Sequence, residues 1–234
     1  PLVDICGKPM VIRVCERVKM ALPHVELIVA TDDDRVAAVV MENGYRCFLS
    51  QTSHVTGTDR VAETVLSLGL SDETRIINVQ GDEPLIPIKM LKGFYEFVEK
   101  LPTLHMATVS CSFESVNEVL DINKVKLVAS PTGSAVYFSR SPIPYNRTLG
   151  ICSETLCSFK KHLGIYAYSK ATLVQVTNLS PTKNELAESL EQLRALDNRV
   201  EIKVFESKHN AAPGVDTETD LAKVREIYRG INEL

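Results

Sequence analysis

The sequence predicts an α/β fold on a mostly parallel sheet with helices on both faces, and three observations predict it. Short apolar runs of strand length alternate with stretches of helical periodicity through roughly the first hundred residues. The helical stretches are long enough to act as the crossovers that join parallel strands. The chain has 234 residues, 44% hydrophobic and 24% charged, the composition of one globular domain.

Each element follows in turn. Val11, Val14, Cys15, Val18 and Leu22 repeat at helical spacing, so residues 8–22 read as an amphipathic helix that Pro23 ends. Residues 27–30 form a short apolar strand halted by Thr31, Asp32, Asp33 and Asp34, from which a helix runs to the stop at Gly44. Residues 46–49 are the next strand, and residues 53–57 a loop. Val61, Ala62, Val65, Leu66 and Leu68 then mark a helix, and residues 75–80 a buried strand ending at Gly81. After a helix at 87–100 the pattern turns to strands at 106–112, 125–130, 135–139 and 163–168, the second and third joined as a hairpin across Pro131, Thr132 and Gly133. Leu186, Leu190, Leu193 and Leu196 mark a helix, Val200, Ile202 and Val204 alternate as a strand, and Leu221, Val224, Tyr228 and Ile231 set a final helix. Neither a repeat nor a linker divides the chain, so the expectation is one domain over 1–234 with an inserted β-rich lobe at about 106–170.

Composition removes several functions. The net charge is −4, with 26 basic residues dispersed among 30 acidic ones, so there is no basic stripe for a phosphate backbone and nucleic acid is not an expected partner. Apolar runs fall far short of the roughly 20 residues of a membrane-spanning helix, and no leader pattern opens the sequence, so a cytoplasmic protein without a membrane partner is expected. The six cysteines are scattered, without a CxxC pair or a cysteine–histidine cluster, and read as reduced residues, Cys152 and Cys157 being the only close couple.

The chemistry is expected where strands end, since loops there present polar groups without breaking the sheet. Gly81, Asp82, Glu83 and Pro84 occupy such an end, where Gly81 permits close approach and Asp82 offers a hard oxygen ligand; a helix-capping turn is the plainer alternative. Gly57, Thr58, Asp59 and Arg60 open a helix and suit an anion or nucleotide base, although Thr58 or Asp59 could simply cap it. Thr217 and Asp220 have capping-box spacing, which leaves Asp216 free. Mg²⁺ favours one or two carboxylates plus substrate oxygens, so Asp82 and Asp216 could share an ion.

Taken in order, residues 79–84 (VQGDEP), 57–60 (GTDR), 137–140 (YFSR), 162–166 (HLGIY), 190–194 (LEQLR) and 214–217 (GVDT) resemble the 3-deoxy-manno-octulosonate (Kdo) cytidylyltransferases. The resemblance spans essentially the whole chain and implies a Rossmann-like nucleotidyltransferase fold with a sugar-binding and dimerisation lobe. It implies transfer of CMP from CTP to Kdo, with release of pyrophosphate, for lipopolysaccharide precursor synthesis, by a homodimer using Mg²⁺. On this likeness Asp82 and Asp216 are catalytic and hold the metal. Gln80, Arg147, His162, Tyr166, Glu191 and Gln192 bind Kdo, with Arg147 and His162 suited to its carboxylate. Gly57, Thr58 and Arg60 bind the nucleotide, and Arg140 could serve either ligand. Without the likeness, His162 would read as a structural histidine and Glu191 and Gln192 as solvated helix residues.

The resemblance also implies a strand and a phosphate loop of the form AR-x-x-S-x-R-L-P-G-K upstream of Pro1. Asp59 stands where Glu is frequent in the family, and Tyr145 and Asn146 where Trp and Asp are. Two other functions stay open on the sequence: a CMP-sialic acid synthetase, which differs in the sugar half, and an inactive sugar or nucleotide binder without the phosphate loop.

Overall fold

The computed structural model of the chain describes residues 1–50, 54, 56–210 and 214–232, the last two by backbone alone. Residues 53 and 55 of the expected loop at 53–57 and the side chain of Ile231 lie outside the described residues. The chain condenses into two compact units: residues 1–70, 79–93 and 211–234 form the first, and residues 71–78 and 94–210 the second.

In chain order the elements are β1 (Asp4–Ile5), β2 (Lys8–Pro9), α1 (Met10–Ala21), β3 (Ile28–Thr31), α2 (Asp34–Glu42), β4 (Arg46–Leu49), α3 (Gly57–Ser67), β5 (Arg75–Asn78) and α4 (Ile88–Lys100). There follow β6 (Met106–Ser112), α5 (Val116–Leu120), β7 (Lys126–Ala129), β8 (Ala135–Ser139), a 3-10 turn (Ser153–Ser158) and β9 (Lys160–Ser169). The chain ends with α6 (Lys170–Thr177), α7 (Lys183–Glu188), α8 (Gln192–Asp197), β10 (Ile202–Glu206) and α9 (Glu218–Asn232). No helix among the described residues is long and apolar enough to cross a membrane.

In the first unit β3 and β4 pair in parallel, as expected of strands joined by a helix. Val11 and Ile12 of α1 pack on Val36 and Val40 of α2. A second cluster joins Ile5 and Met10 to Leu85 and to Leu221, Val224 and Tyr228 of α9. The Tyr228 hydroxyl donates to the carbonyl of Pro84 at 2.7 Å, so α9 is tied to the segment that follows Asp82.

The second unit holds a six-stranded mixed sheet in the order β10-β6-β9-β7-β8, with β5 also on β9. The α/β class therefore stands, whereas the expectation of a mostly parallel sheet is corrected. Within this sheet only β6 and β10 run parallel; β9 is antiparallel to β5, β6 and β7. The reason is insertion. β5 and β6 are joined through a helix, but the ten-residue β9 lies between them and takes the ladder positions that direct neighbours would have used. The β7–β8 hairpin forms as expected, turning at Gly133 with φ +78.

The single helix expected across Leu186 to Leu196 is two. Ser189 takes a left-handed conformation at φ 52 that ends α7, and α8 restarts after Glu191, leaving Leu186 exposed while Leu190 and Leu193 are buried. α7 opens with a capping box between Thr182 and Glu185, and Glu185 also grips Arg194 of α8 through both carboxylate oxygens. The turn carrying Glu191 is thus braced from both sides. Helices α5 and α6 and the 3-10 turn were not expected from the sequence, and all six cysteines are free thiols.

Candidate active site

In the first unit, the loop after β5 meets the loop before α9. The Val215 amide donates to the Asp82 carbonyl at 2.9 Å. A Cβ placed on Gly214 would lie 3.4 Å from both that carbonyl and Glu83 Oε1, so the close approach expected at Gly81 occurs at Gly214 instead; a Cβ at Gly81 meets nothing. Asp216 is exposed and lies beyond the cap, because Thr217 and Asp220 bond each other reciprocally as their spacing predicts.

The approach of the two loops concentrates negative charge. Burial raises the pKa of Asp82, and the Asp216 charge raises it further, against a lowering by its own backbone. Glu83 is pushed up to about 7, first by burial and then by the charges of Asp82 and Asp216. Asp82 and Asp216 are therefore brought together, with Glu83 as a third member that sequence reasoning left without a role. Such a set of hard oxygen donors favours a cation. No group of three or more candidate metal ligands is assembled among the described residues.

Beside this cluster, α3 begins. Its N-cap is Thr56, whose hydroxyl accepts from the Asp59 amide at 3.2 Å and donates to the Asp59 carboxylate at 3.0 Å, so neither Thr58 nor Asp59 is the cap. Gly57 and Thr58 occupy the first turn, and a Cβ on Gly57 would sit 4.0 Å from Gln80 Oε1. The structure therefore places Gln80 with the expected nucleotide residues in this unit. Arg60 pairs with Asp32 at 3.1 Å and keeps a buried Nε–H without a partner among the described residues.

The second unit carries the remaining expected sugar residues, and a β-bulge brings two of them together. Opposite Ser110 on β6 stands His162, and opposite Thr108 stands Tyr166, because β9 accommodates Gly164 and Ile165 as extra residues between Thr108 and Val109. Four residues of regular strand would span about 13 Å. Here the His162 and Tyr166 rings lie 5.4 Å apart, and the His162 ring meets Phe138 edge-on at 5.0 Å. Burial drives the Tyr166 phenol well above its ordinary pKa, with further contributions from Tyr168 and from the charge of Glu191, which places Glu191 beside this group.

Burial also lowers the pKa of His162 to about 3. In the ligand-free protein this burial favours the neutral ring at physiological pH. Because the folded-state pKa lies below the unfolded one, the associated stability is present above about 6.5 and lost as pH falls toward 3. His162→Gln should therefore lose less thermal stability than the wild type between about pH 7 and 5, measured by melting temperature against pH. Parallel curves for the two proteins would contradict it.

Gln192, which without the family likeness would read as a solvated helix residue, is only 6% exposed, and its side-chain N–H₂ is buried without a partner among the described residues. An orphaned donor costs about 1–3 kcal/mol unless something supplies an acceptor. Glu191 is exposed. Arg147 sits on an exposed loop whose turn is fixed by Asn146 Oδ1 accepting from the amides of Thr148 and Leu149. Arg140 has a structural task in this unit. Its guanidinium is spent on the carbonyls of Glu188, Ser189 and Ile122, while the Glu188 carboxylate accepts from Ser139 Oγ and the Arg140 amide. This network fastens the end of β8 to the turn before Glu191.

Comparison with known proteins gives a consistent picture. The cytidylyltransferase family model matches residues 1–202. The chain is 40% identical over 228 residues to 3-deoxy-manno-octulosonate cytidylyltransferase 2 of Paraburkholderia phytofirmans, covering 97% of this chain and 87% of that protein. It is 43% identical to the 3-deoxy-manno-octulosonate cytidylyltransferase of Polynucleobacter asymbioticus, covering 97% and 88%. Among solved structures, a CMP:2-keto-3-deoxy-manno-octonic acid synthetase complexed with CTP superposes with a TM-score of 0.88 at 37% identity, over 99% of this chain and 92% of that one. A glucose-1-phosphate thymidylyltransferase from Bacillus anthracis shares the fold at a TM-score of 0.63 and 13% identity.

Proposed function

The chain belongs to the cytidylyltransferase family, and from that premise we propose that it transfers CMP from CTP to 3-deoxy-manno-octulosonate, releasing pyrophosphate. The likeness to enzymes of that name over 97% of the chain carries this reading. Neither a sialic acid synthetase nor an inactive binder is favoured by any observation.

The residues present suit the reaction. Gly57, Thr58, Arg60 and Gln80 hold the nucleotide side, where the orphaned Nε–H of Arg60 awaits an acceptor. Asp82 and Asp216 present carboxylates that would hold Mg²⁺, and Glu83 adds to the negative field. Bound there, Mg²⁺ supplies neutralisation of the α-phosphate charge and acidification of the attacking sugar hydroxyl. On the sugar side, Gln192 donates to a sugar oxygen, Tyr166 and Glu191 meet hydroxyl groups, and Arg147 offers its guanidinium to the carboxylate. The protein's main contribution is placement, since holding two substrates in register removes much of the entropic barrier. A cytoplasmic homodimer making a lipopolysaccharide precursor is the setting we propose.

Pyrophosphate release measured by a coupled assay tests the function. With CTP and Mg²⁺, Kdo should give turnover well above that with N-acetylneuraminate. Equal or better turnover of N-acetylneuraminate would move the chain to the sialic acid enzymes, and no turnover of either sugar would remove the proposal.

A further inference from the structure

One buried hydroxyl controls how His162 faces the sugar. Thr108, 0% exposed on β6, places its Oγ1 at 2.9 Å from the carbonyl of Ile165, 3.3 Å from that of Leu163 and 3.0 Å from His162 Nε2. Both carbonyls belong to the bulged stretch of β9. A hydroxyl has a single proton and carbonyl oxygens can only accept, and the shortest of the three contacts, 2.9 Å to Ile165, directs that proton to the bulge. The contact with His162 is then satisfied only if Nε2 carries hydrogen and donates to Thr108 Oγ1. A neutral imidazole has one N–H, so Nδ1 is left with its lone pair exposed, and it has no hydrogen-bond partner among the described residues.

We propose that Thr108 is a positioning residue for sugar recognition, locking His162 in the Nε2–H tautomer so that Nδ1 accepts from a sugar hydroxyl, while the carboxylate is left to Arg147. The inference rests on the sugar reading above and sharpens it. An acceptor nitrogen repels a carboxylate and welcomes a hydroxyl, so the histidine selects for a polyhydroxylated sugar at that position. The same Thr108 oxygen also ties down the bulge that brings His162 and Tyr166 together, so ring orientation and ring spacing share one fastening.

Thr108→Val preserves shape and removes the hydroxyl, and Thr108→Ser restores it. Thr108→Val should raise the KM for Kdo by roughly tenfold or more, with a smaller change in kcat and a KM for CTP within about twofold of wild type. Thr108→Ser should recover the KM for Kdo to within about threefold. Independently, nitrogen-15 spectra of the wild-type protein should show Nε2 of His162 as the protonated nitrogen and Nδ1 as the lone-pair nitrogen, with Nδ1 shifting when Kdo is added. A protonated Nδ1 in the wild type would overturn the proposal, as would a Thr108→Val protein with unchanged KM for Kdo. Should Thr108→Val fail to fold, the wild-type spectrum still decides. Should the wild type ignore Kdo altogether, the functional reading fails while the tautomer is read separately from the same spectrum.

Discussion

Asp82→Asn should lower kcat by roughly 10³-fold while leaving the protein folded, and Asp216→Asn should do likewise. Each change removes one of the two carboxylates that the Val215–Asp82 contact brings together, and an amide is a poor ligand for a hard cation. The loss should be partly reversible at high Mg²⁺, with the half-saturating Mg²⁺ concentration rising in either variant. Stability should move the other way. Burial and Asp216 raise the folded-state pKa of Asp82 above its unfolded value, so its stabilising contribution is complete at low pH and lost as pH rises through the folded pKa. Asn imitates the neutral carboxyl, so the melting temperature of Asp82→Asn near pH 8 should equal or exceed that of the wild type. A variant that kept full turnover, or one that lost turnover only by unfolding, would remove Asp82 from the metal site.

This site was unevenly legible in the sequence. The carboxylate pair could be anticipated because each Asp follows a glycine-containing loop signal, and a capping box already employed Thr217 and Asp220, leaving Asp216 over. Local elements with strong periodicity, such as α1, α2 and α9, formed close to where their apolar spacing put them. What could not be read depended on partners far along the chain. The antiparallel β9 enters between strands that sequence order makes look adjacent, and nothing local to residues 75–112 announces it. The bulge at Gly164 and Ile165 is a mismatch between two strands, so neither strand shows it alone. Arg140 had an unassigned side chain in the sequence; only the fold reveals that it donates to three carbonyls. Glu83 was visible beside Asp82, but its raised pKa needs the second loop.

Gln192→Ala carries the most specific expectation, because the amide nitrogen it removes has no partner among the described residues of the free protein. The side-chain N–H₂ is buried and orphaned, so its loss sacrifices no internal hydrogen bond. Removing the remaining side-chain atoms from a 6% exposed site leaves a small void, while deletion of an unsatisfied donor offsets part of that cost. The net change in unfolding free energy should fall within about 1 kcal/mol, which denaturant titration resolves. With Kdo bound the balance differs, since the donor then has an acceptor. A hydrogen bond formed there is worth about 1–3 kcal/mol, so kcat/KM for Kdo should fall roughly 5- to 150-fold. The KM for CTP should stay within about twofold, because the expected nucleotide residues belong to the first unit and Gln192 to the second. Loss of CTP affinity with Kdo affinity preserved would reassign the α8 turn to the nucleotide. An unchanged kcat/KM for Kdo would mean that the orphaned amide is satisfied by something other than the sugar.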